Sequence, residues 1–173
     1  MGRYYLLLLT FFMSLRYGLQ LSHNLMNELT AETYSELFES NRDFDIVINY
    51  GSGKLCDICQ HFKHEFKDLE HAYSKVNSLY FANIDIVKND IQNFIHIDKL
   101  PSIIYYEKGN TKNGIVYHYE PDTFAQDLRG EYLSNWIQKT ATVDLSKFDS
   151  NFKFHTNLHE ILAEKGSHQK VDK

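Results

Sequence analysis

The sequence predicts one α/β domain, a mixed central sheet flanked by helices, and three observations predict it. A short β-branched run at 45–50 is followed by a glycine-rich loop and then by a long segment with apolar residues three and four apart. A second strand-like run at 79–86 completes a strand–helix–strand unit, which implies a parallel pair joined by a right-handed crossover. Two later runs, at 102–106 and 114–119, lie either side of the turn Lys108-Gly109-Asn110 and read as an antiparallel hairpin.

Taken in order, residues 30–40 read as a helix that Thr30 caps, with Thr33, Tyr34, Leu37 and Phe38 on one face and Glu32, Glu36 and Glu39 on the other. Asp45-Ile46-Val47-Ile48-Asn49-Tyr50 has the composition of a buried strand. Gly51-Ser52-Gly53-Lys54 is a loop. From Asp57 the spacing of Phe62, Phe66, Leu69, Tyr73 and Val76 predicts a helix that Asn77-Ser78 ends. A short helix is expected over 90–96, with Ile91, Phe94 and Ile95 inward. Pro101 then opens the strand Ser102-Ile103-Ile104-Tyr105-Tyr106, and a last helix over 128–140 turns Leu133, Trp136 and Ile137 to the core. The order is α-β-α-β-α-β-β-α, without internal repeats.

The ends need separate treatment. Met1-Gly2-Arg3 is short and basic, and the uncharged run 4–15 would rise about 18 Å as a helix, against roughly 30 Å of hydrocarbon. That profile predicts a signal peptide over 1–22, the alternative being a short uncleaved anchor. The folded domain is expected over 23–145. Residues 146–173 are expected to form a polar tail, helical at 158–165 and disordered at 166–173. The 173 residues suit one domain, and 43% hydrophobic content supplies one core. A net charge of −5 leaves no basic footprint, which excludes nucleic acid as a partner.

Chemistry concentrates at Cys56-Asp57-Ile58-Cys59, which holds both cysteines of the chain. A structural disulfide stabilises mainly by closing a long loop, so this spacing points to exchange chemistry instead. Exchange needs a thiolate nucleophile and a second thiol to resolve the mixed disulfide. Cys56 at the start of a helix meets unsatisfied N–H groups and the positive end of the macrodipole, which lower a thiol pKa. Cys56 is therefore the expected nucleophile and Cys59, one turn on, the expected resolving cysteine. The two are also the expected disulfide. Asp57 opposes thiolate formation; His61 and His64 favour it when protonated. A zinc site recruiting those histidines is disfavoured, because they stand too close in sequence for the usual ligand spacing. No metal and no cofactor are expected.

A CxxC after a strand and at the start of a helix is the redox signature of the thioredoxin fold. In that fold a cis proline opens the strand facing the dithiol and presents backbone to an extended substrate. Leu100-Pro101 lies where such a proline belongs, so both residues are the expected substrate-binding pair. The chain departs from ordinary thioredoxins in two ways. Leu55, not tryptophan, precedes Cys56. Asn49 falls near the buried carboxylate that accepts a proton during resolution, and an amide cannot act as that base. Slow exchange with long-lived mixed disulfides fits these residues better than fast general turnover. Tyr50, Tyr105 and Tyr106 read as core or rim aromatics.

A run of motifs resembles one family in particular. The helix Leu29-Thr30-Ala31-Glu32-Thr33-Tyr34-Ser35-Glu36-Leu37 precedes Asp43-Phe44-Asp45-Ile46-Val47-Ile48. Then come Cys56-Asp57-Ile58-Cys59, Glu65-Phe66, Leu79-Tyr80-Phe81-Ala82-Asn83-Ile84-Asp85 and Leu100-Pro101-Ser102-Ile103. The insertion Tyr119-Glu120-Pro121-Asp122-Thr123 leads to Glu131-Tyr132-Leu133-Ser134-Asn135-Trp136-Ile137. Residues 28–145 thus resemble the thioredoxin-like lumenal domain of the oxidoreductase subunit of oligosaccharyltransferase, the tumour-suppressor-candidate family. The resemblance implies a thiol–disulfide oxidoreductase of the endoplasmic reticulum lumen. It implies mixed disulfides with nascent polypeptides, which leave asparagine sites open to glycosylation, and oligosaccharyltransferase subunits as partners. Cys56, Cys59 and Pro101 carry over by position. The family's four transmembrane helices have no counterpart in this sequence, and Lys170-Val171-Asp172-Lys173 is no retrieval signal. Two other functions compete: a general disulfide isomerase or secreted thioredoxin-like protein, and a binding module whose disulfide never turns over.

Overall fold

The computed structural model describes residues 28–39, 41–91, 95–110, 112–120 and 127–154. The expected signal peptide, the helix at 158–165 and the final residues lie outside them. The elements run β1 (Glu28–Leu29), α1 (Ala31–Glu39), β2 (Asp45–Gly51), α2 (Asp57–Ala72), β3 (Leu79–Asp85), β4 (Ser102–Tyr106), β5 (Ile115–Val116) and α3 (Gly130–Thr140). Their sheet has the order β1-β3-β2-β4-β5. β1 and β2 are parallel to β3, and β4 is antiparallel to both β2 and β5.

Strand parity divides the core into two layers, because successive side chains leave opposite faces of a strand. Val47, Phe81, Ile103 and Tyr105 face Phe62, Phe66 and Leu69 of α2 and Leu133 and Ile137 of α3. Ile46, Ile48, Tyr50, Ala82, Ile84, Ile104 and Tyr106 face Tyr34 and Leu37 of α1. Burying each of these large apolar side chains contributes about 1.5–3 kcal/mol. On the α1 side three phenols form a chain, with Tyr50 Oη 3.0 Å from Tyr34 Oη and 2.9 Å from Tyr106 Oη. Burial raises the pKa of all three above the ordinary tyrosine value, so they remain protonated and bonded to one another.

Local chemistry sets the element ends. Thr30 caps α1 reciprocally: its Oγ1 accepts from Thr33 N–H at 3.2 Å, and its own N–H reaches Thr33 Oγ1 at 2.8 Å. α2 stops at Ala72, shorter than the spacing of apolar residues implied. Beyond it the bonds tighten to Ser74 N–H with His71 C=O and Val76 N–H with Tyr73 C=O, so Tyr73 and Val76 stay buried in turns rather than on a helix. Gly109, with φ +69°, supplies the left-handed residue of the turn after β4. The expected fourth strand narrows to Ile115–Val116, with Tyr117 N–H still donating to Ile103 C=O at 2.9 Å. The helix expected over 90–96 falls partly outside the described residues. At its flanks Ile95 N–H donates to Ile91 C=O at 3.3 Å, and both side chains join the α1-side core.

Two buried carboxylates tie elements together. Asp45, fully buried at the start of β2, accepts from Lys108 N–H at 2.8 Å, from the Thr142 hydroxyl at 3.1 Å and from the Tyr105 phenol. Glu65, on α2, accepts from Gly130 N–H at 2.9 Å and so occupies the positive end of α3. Packing also continues past residue 145. Phe148 stacks on Tyr73 at 4.4 Å between ring centroids, Asp149 N–H donates to Ala72 C=O at 3.1 Å, and Phe152 and Phe154 lie against the α2–α3 core.

Candidate functional site

The site is assembled at the carboxyl end of β2. The loop leaving Gly51 is pinned at several points: Gly53 N–H donates to Asp85 Oδ2 at 3.1 Å, Leu55 N–H to Ser52 Oγ at 3.1 Å, and Gln60 Nε2–H to Gly53 C=O at 2.8 Å. Burial alone would raise the Asp85 carboxyl. The backbone N–H groups of Gly53, Lys88 and Val87 and the Lys88 ammonium overcome that and hold it below its ordinary value.

The loop delivers Cys56 to the N-cap of α2, in extended geometry with φ −143° and ψ 91°. Its Sγ accepts a hydrogen bond from Cys59 N–H at 3.2 Å. Cys56 and Cys59 form a disulfide, with Cα atoms 5.3 Å apart. Cys56 keeps 9% of its surface exposed and Cys59 6%, whereas Leu55 beside them is 77% exposed. His64 is exposed and His61 half-buried. A thiolate released at Cys56 would therefore face the same N–H that the disulfide sulfur now accepts, at the positive end of a 16-residue helix.

Pro101 comes to the same end of the sheet through topology. β4 runs antiparallel to β2 and pairs Ser102 with Tyr50, so the residue before Ser102 lies level with the start of the cysteine loop. The Leu100–Pro101 peptide bond is cis. Pro101 is buried and Leu100 half-buried. Sequence reasoning missed the residue that holds this turn. Tyr119 Oη donates to the Pro101 carbonyl at 2.7 Å, and burial pushes its phenol up to about 12, so it stays a donor at physiological pH. Lys99 caps Tyr119 from above, its Nζ 3.9 Å from the ring centroid and bonded to the Tyr119 carbonyl at 2.5 Å. The alternation Ile115, Tyr117, Tyr119 was the available signal, because it places Tyr119 on the core side of the strand's continuation.

Beneath Cys59 a cleft of about 130 Å³ opens, lined by Glu28, Asn49, Asn83, Cys59 and Lys63 among others. Asn49, 4% exposed, donates from Nδ2 to Asn83 Oδ1 at 2.9 Å. The amide expected near the position of a buried carboxylate is thus paired with a second amide, not with a charge.

A disulfide at a helix N-terminus, a β–α–β unit behind it and a cis proline opening the neighbouring antiparallel strand define a thioredoxin-fold disulfide protein. Solved structures bear out the fold: among the 296 matching chains is human ERp44 in its zinc-bound form, at TM-score 0.51 and 18% identity. That match covers 66% of this chain and only 30% of the ERp44 chain. The chain belongs to the OST3 / OST6 family, whose model, described as "OST3 / OST6 family, transporter family", matches residues 18–158. No curated protein matches it significantly. No helix among the described residues is long and apolar enough to cross a membrane.

Proposed function

We propose that this protein is a thiol–disulfide oxidoreductase of the endoplasmic reticulum lumen. It forms transient mixed disulfides with nascent secretory polypeptides and assists their N-glycosylation as an oligosaccharyltransferase-associated subunit. One observation carries the reading: the Cys59 N–H that points at Cys56 Sγ from the first turn of α2, in a chain of the OST3 / OST6 family. Cys56 is the sulfur that joins the client, because its departing or attacking anion is the one the helix end stabilises. Cys59 lies one turn on and resolves the adduct. Leu100 and Pro101 offer their turn to the client backbone. A client held by one sulfur folds later, and its asparagines stay extended for longer.

The test is a Cys59→Ser variant of the full chain in cells. Client chains should accumulate as adducts on Cys56 and disappear under reductant. Membrane pull-down of the same variant should bring oligosaccharyltransferase subunits with it. Adducts without those subunits would turn the assignment to a general disulfide isomerase. Neither adducts nor subunits would leave a binding module whose disulfide does not turn over.

A further inference from the structure

Every exchange at Cys56 moves a proton at Cys59. When a client thiolate attacks Cys56 Sγ, the client–Cys56 bond forms, the Cys56–Cys59 bond breaks, and its electron pair leaves on Cys59 Sγ, which takes up a proton. In the return step Cys59 loses that proton, attacks Cys56 Sγ, restores the disulfide and releases the client thiolate. The cycle is redox-neutral and needs no external oxidant. Cys59 is 6% exposed, so the proton needs a route.

The sheet supplies one. In register, Glu28 of β1 pairs with Asn83 of β3, and Asn83 pairs with Asn49 of β2. Neighbours in parallel register share a face, so the three polar side chains form a row across the sheet, on the α2 side where Val47 and Phe81 also lie. The row lines the same cleft as Cys59 and Lys63. At its inner end Asn49 Oδ1 is buried and has no hydrogen-bond partner among the described residues, which is unfavourable unless something meets it. The cleft is large enough to hold water, with that oxygen as one anchor and Ser52, Gln60 and Asn83 also in its lining. At its outer end Glu28, 56% exposed, is ion-paired with Lys63 and open to solvent. The other charged groups lining the cleft are Asp85 and Lys88; Asp57 and His61 sit on the first turns of α2. Asp85 is a poor acceptor, because three backbone N–H groups already hold its carboxylate.

We propose that the row Glu28–Asn83–Asn49 is the proton path of Cys59: Asn49 is the positioning residue for the water that exchanges the thiol proton, and Glu28 is the carboxylate that passes it to solvent. The inference rests on the exchange reading above. It replaces a buried base by a relay, and a relay is slower, in keeping with a long-lived adduct.

The test uses the full chain and a fluorescent peptide with one cysteine. The mixed disulfide on Cys56 is formed, and the rate at which Cys59 releases the peptide is followed from pH 5.5 to 8.5. Glu28→Gln should slow release by about tenfold, less than the roughly 10²–10⁴-fold of an acid–base group in direct contact, because Glu28 acts through a relay; Glu28→Asp should recover most of the rate. Glu28 is exposed, so these variants keep the fold. Asn49→Asp should accelerate release and make it insensitive to a second Glu28→Gln change, an outcome that a merely structural role would not produce. Equal release rates in wild type and Glu28→Gln would overturn the proton path while leaving the exchange function standing. Failure of the wild type to form any peptide adduct would overturn both.

Discussion

Single side chains at this site act through what they fasten. The Tyr119 hydroxyl donates to the Pro101 carbonyl from 18 residues away. Tyr119→Phe keeps the ring under Lys99 and removes only that bond, so thermal denaturation should show a loss of about 0.5–1.5 kcal/mol. Adduct formation with a cysteine peptide should slow as the proline turn loosens. Asp85 makes a pH argument of the same kind. Its folded-state pKa is depressed, so the stability it contributes is complete above the unfolded carboxylate value of about 3.9 and is lost as pH falls through the lower folded value. Acid titration of stability should therefore steepen below about pH 4 in the wild type and flatten in Asp85→Asn, with wild-type steepness in that variant counting against the anchor. What the sequence revealed at this scale was chemistry carried by the residue itself. Two cysteines three apart, and a proline before a β-branched run, are legible without a partner. Tyr119 and Asn83 were not singled out, because their roles exist only after the chain brings distant residues together.

At the level of elements the same division holds. β2, β3 and β4 were readable because a buried strand needs a continuous apolar run. β1 was not, since two residues with only Leu29 buried make no pattern until β3 is there to pair with. The end of α2 was misplaced for a different reason: Tyr73 and Val76 keep the helical spacing while turning inward from tight turns. The start of α3 shows how an element end is set from outside. Gly130 opens the helix under the Phe154 ring, and a Cβ there would stand 2.3 Å from Phe154 Cδ1. Glycine to alanine in a helix ordinarily gains roughly 0.5–1 kcal/mol. Here the added carbon must displace an aromatic ring, and overpacking costs about 1–3 kcal/mol. Gly130→Ala should therefore lower the melting temperature. In a Phe154→Ala background the same change should raise it, and a double-mutant cycle by chemical denaturation measures the reversal. A Gly130→Ala change that stabilises the wild type would show that the ring yields freely.

For the whole molecule, the question is where the cooperative unit ends. Composition placed the boundary at 145, because the segment that follows is polar and carries lysine, aspartate and asparagine between its aromatics. Three of those aromatics instead close the open side of the α2–α3 layer. Phe148 covers the Tyr73 ring, whose hydroxyl lies 3.0 Å from Ser134 Oγ, so one stacked pair joins the end of α2 to the middle of α3. Phe152 lies against Phe154 at 5.1 Å, and Phe154 sits on the start of α3. The cysteines are at the other end of α2, and the helix that steadies them is held against the sheet partly by this contact. A chain ending at 154 keeps all three of these side chains and is the reference in chemical denaturation. A chain ending at 145 loses three half-buried phenylalanines, each costing less than the roughly 3–5 kcal/mol of a fully buried one, and should lose a large share of the stability of a small domain. Its adduct-forming rate should fall with it, because a frayed α2 no longer holds Cys59 N–H against Cys56 Sγ. Equal denaturation midpoints for the two truncations would return the boundary to 145 and reduce the phenylalanine cluster to a surface decoration.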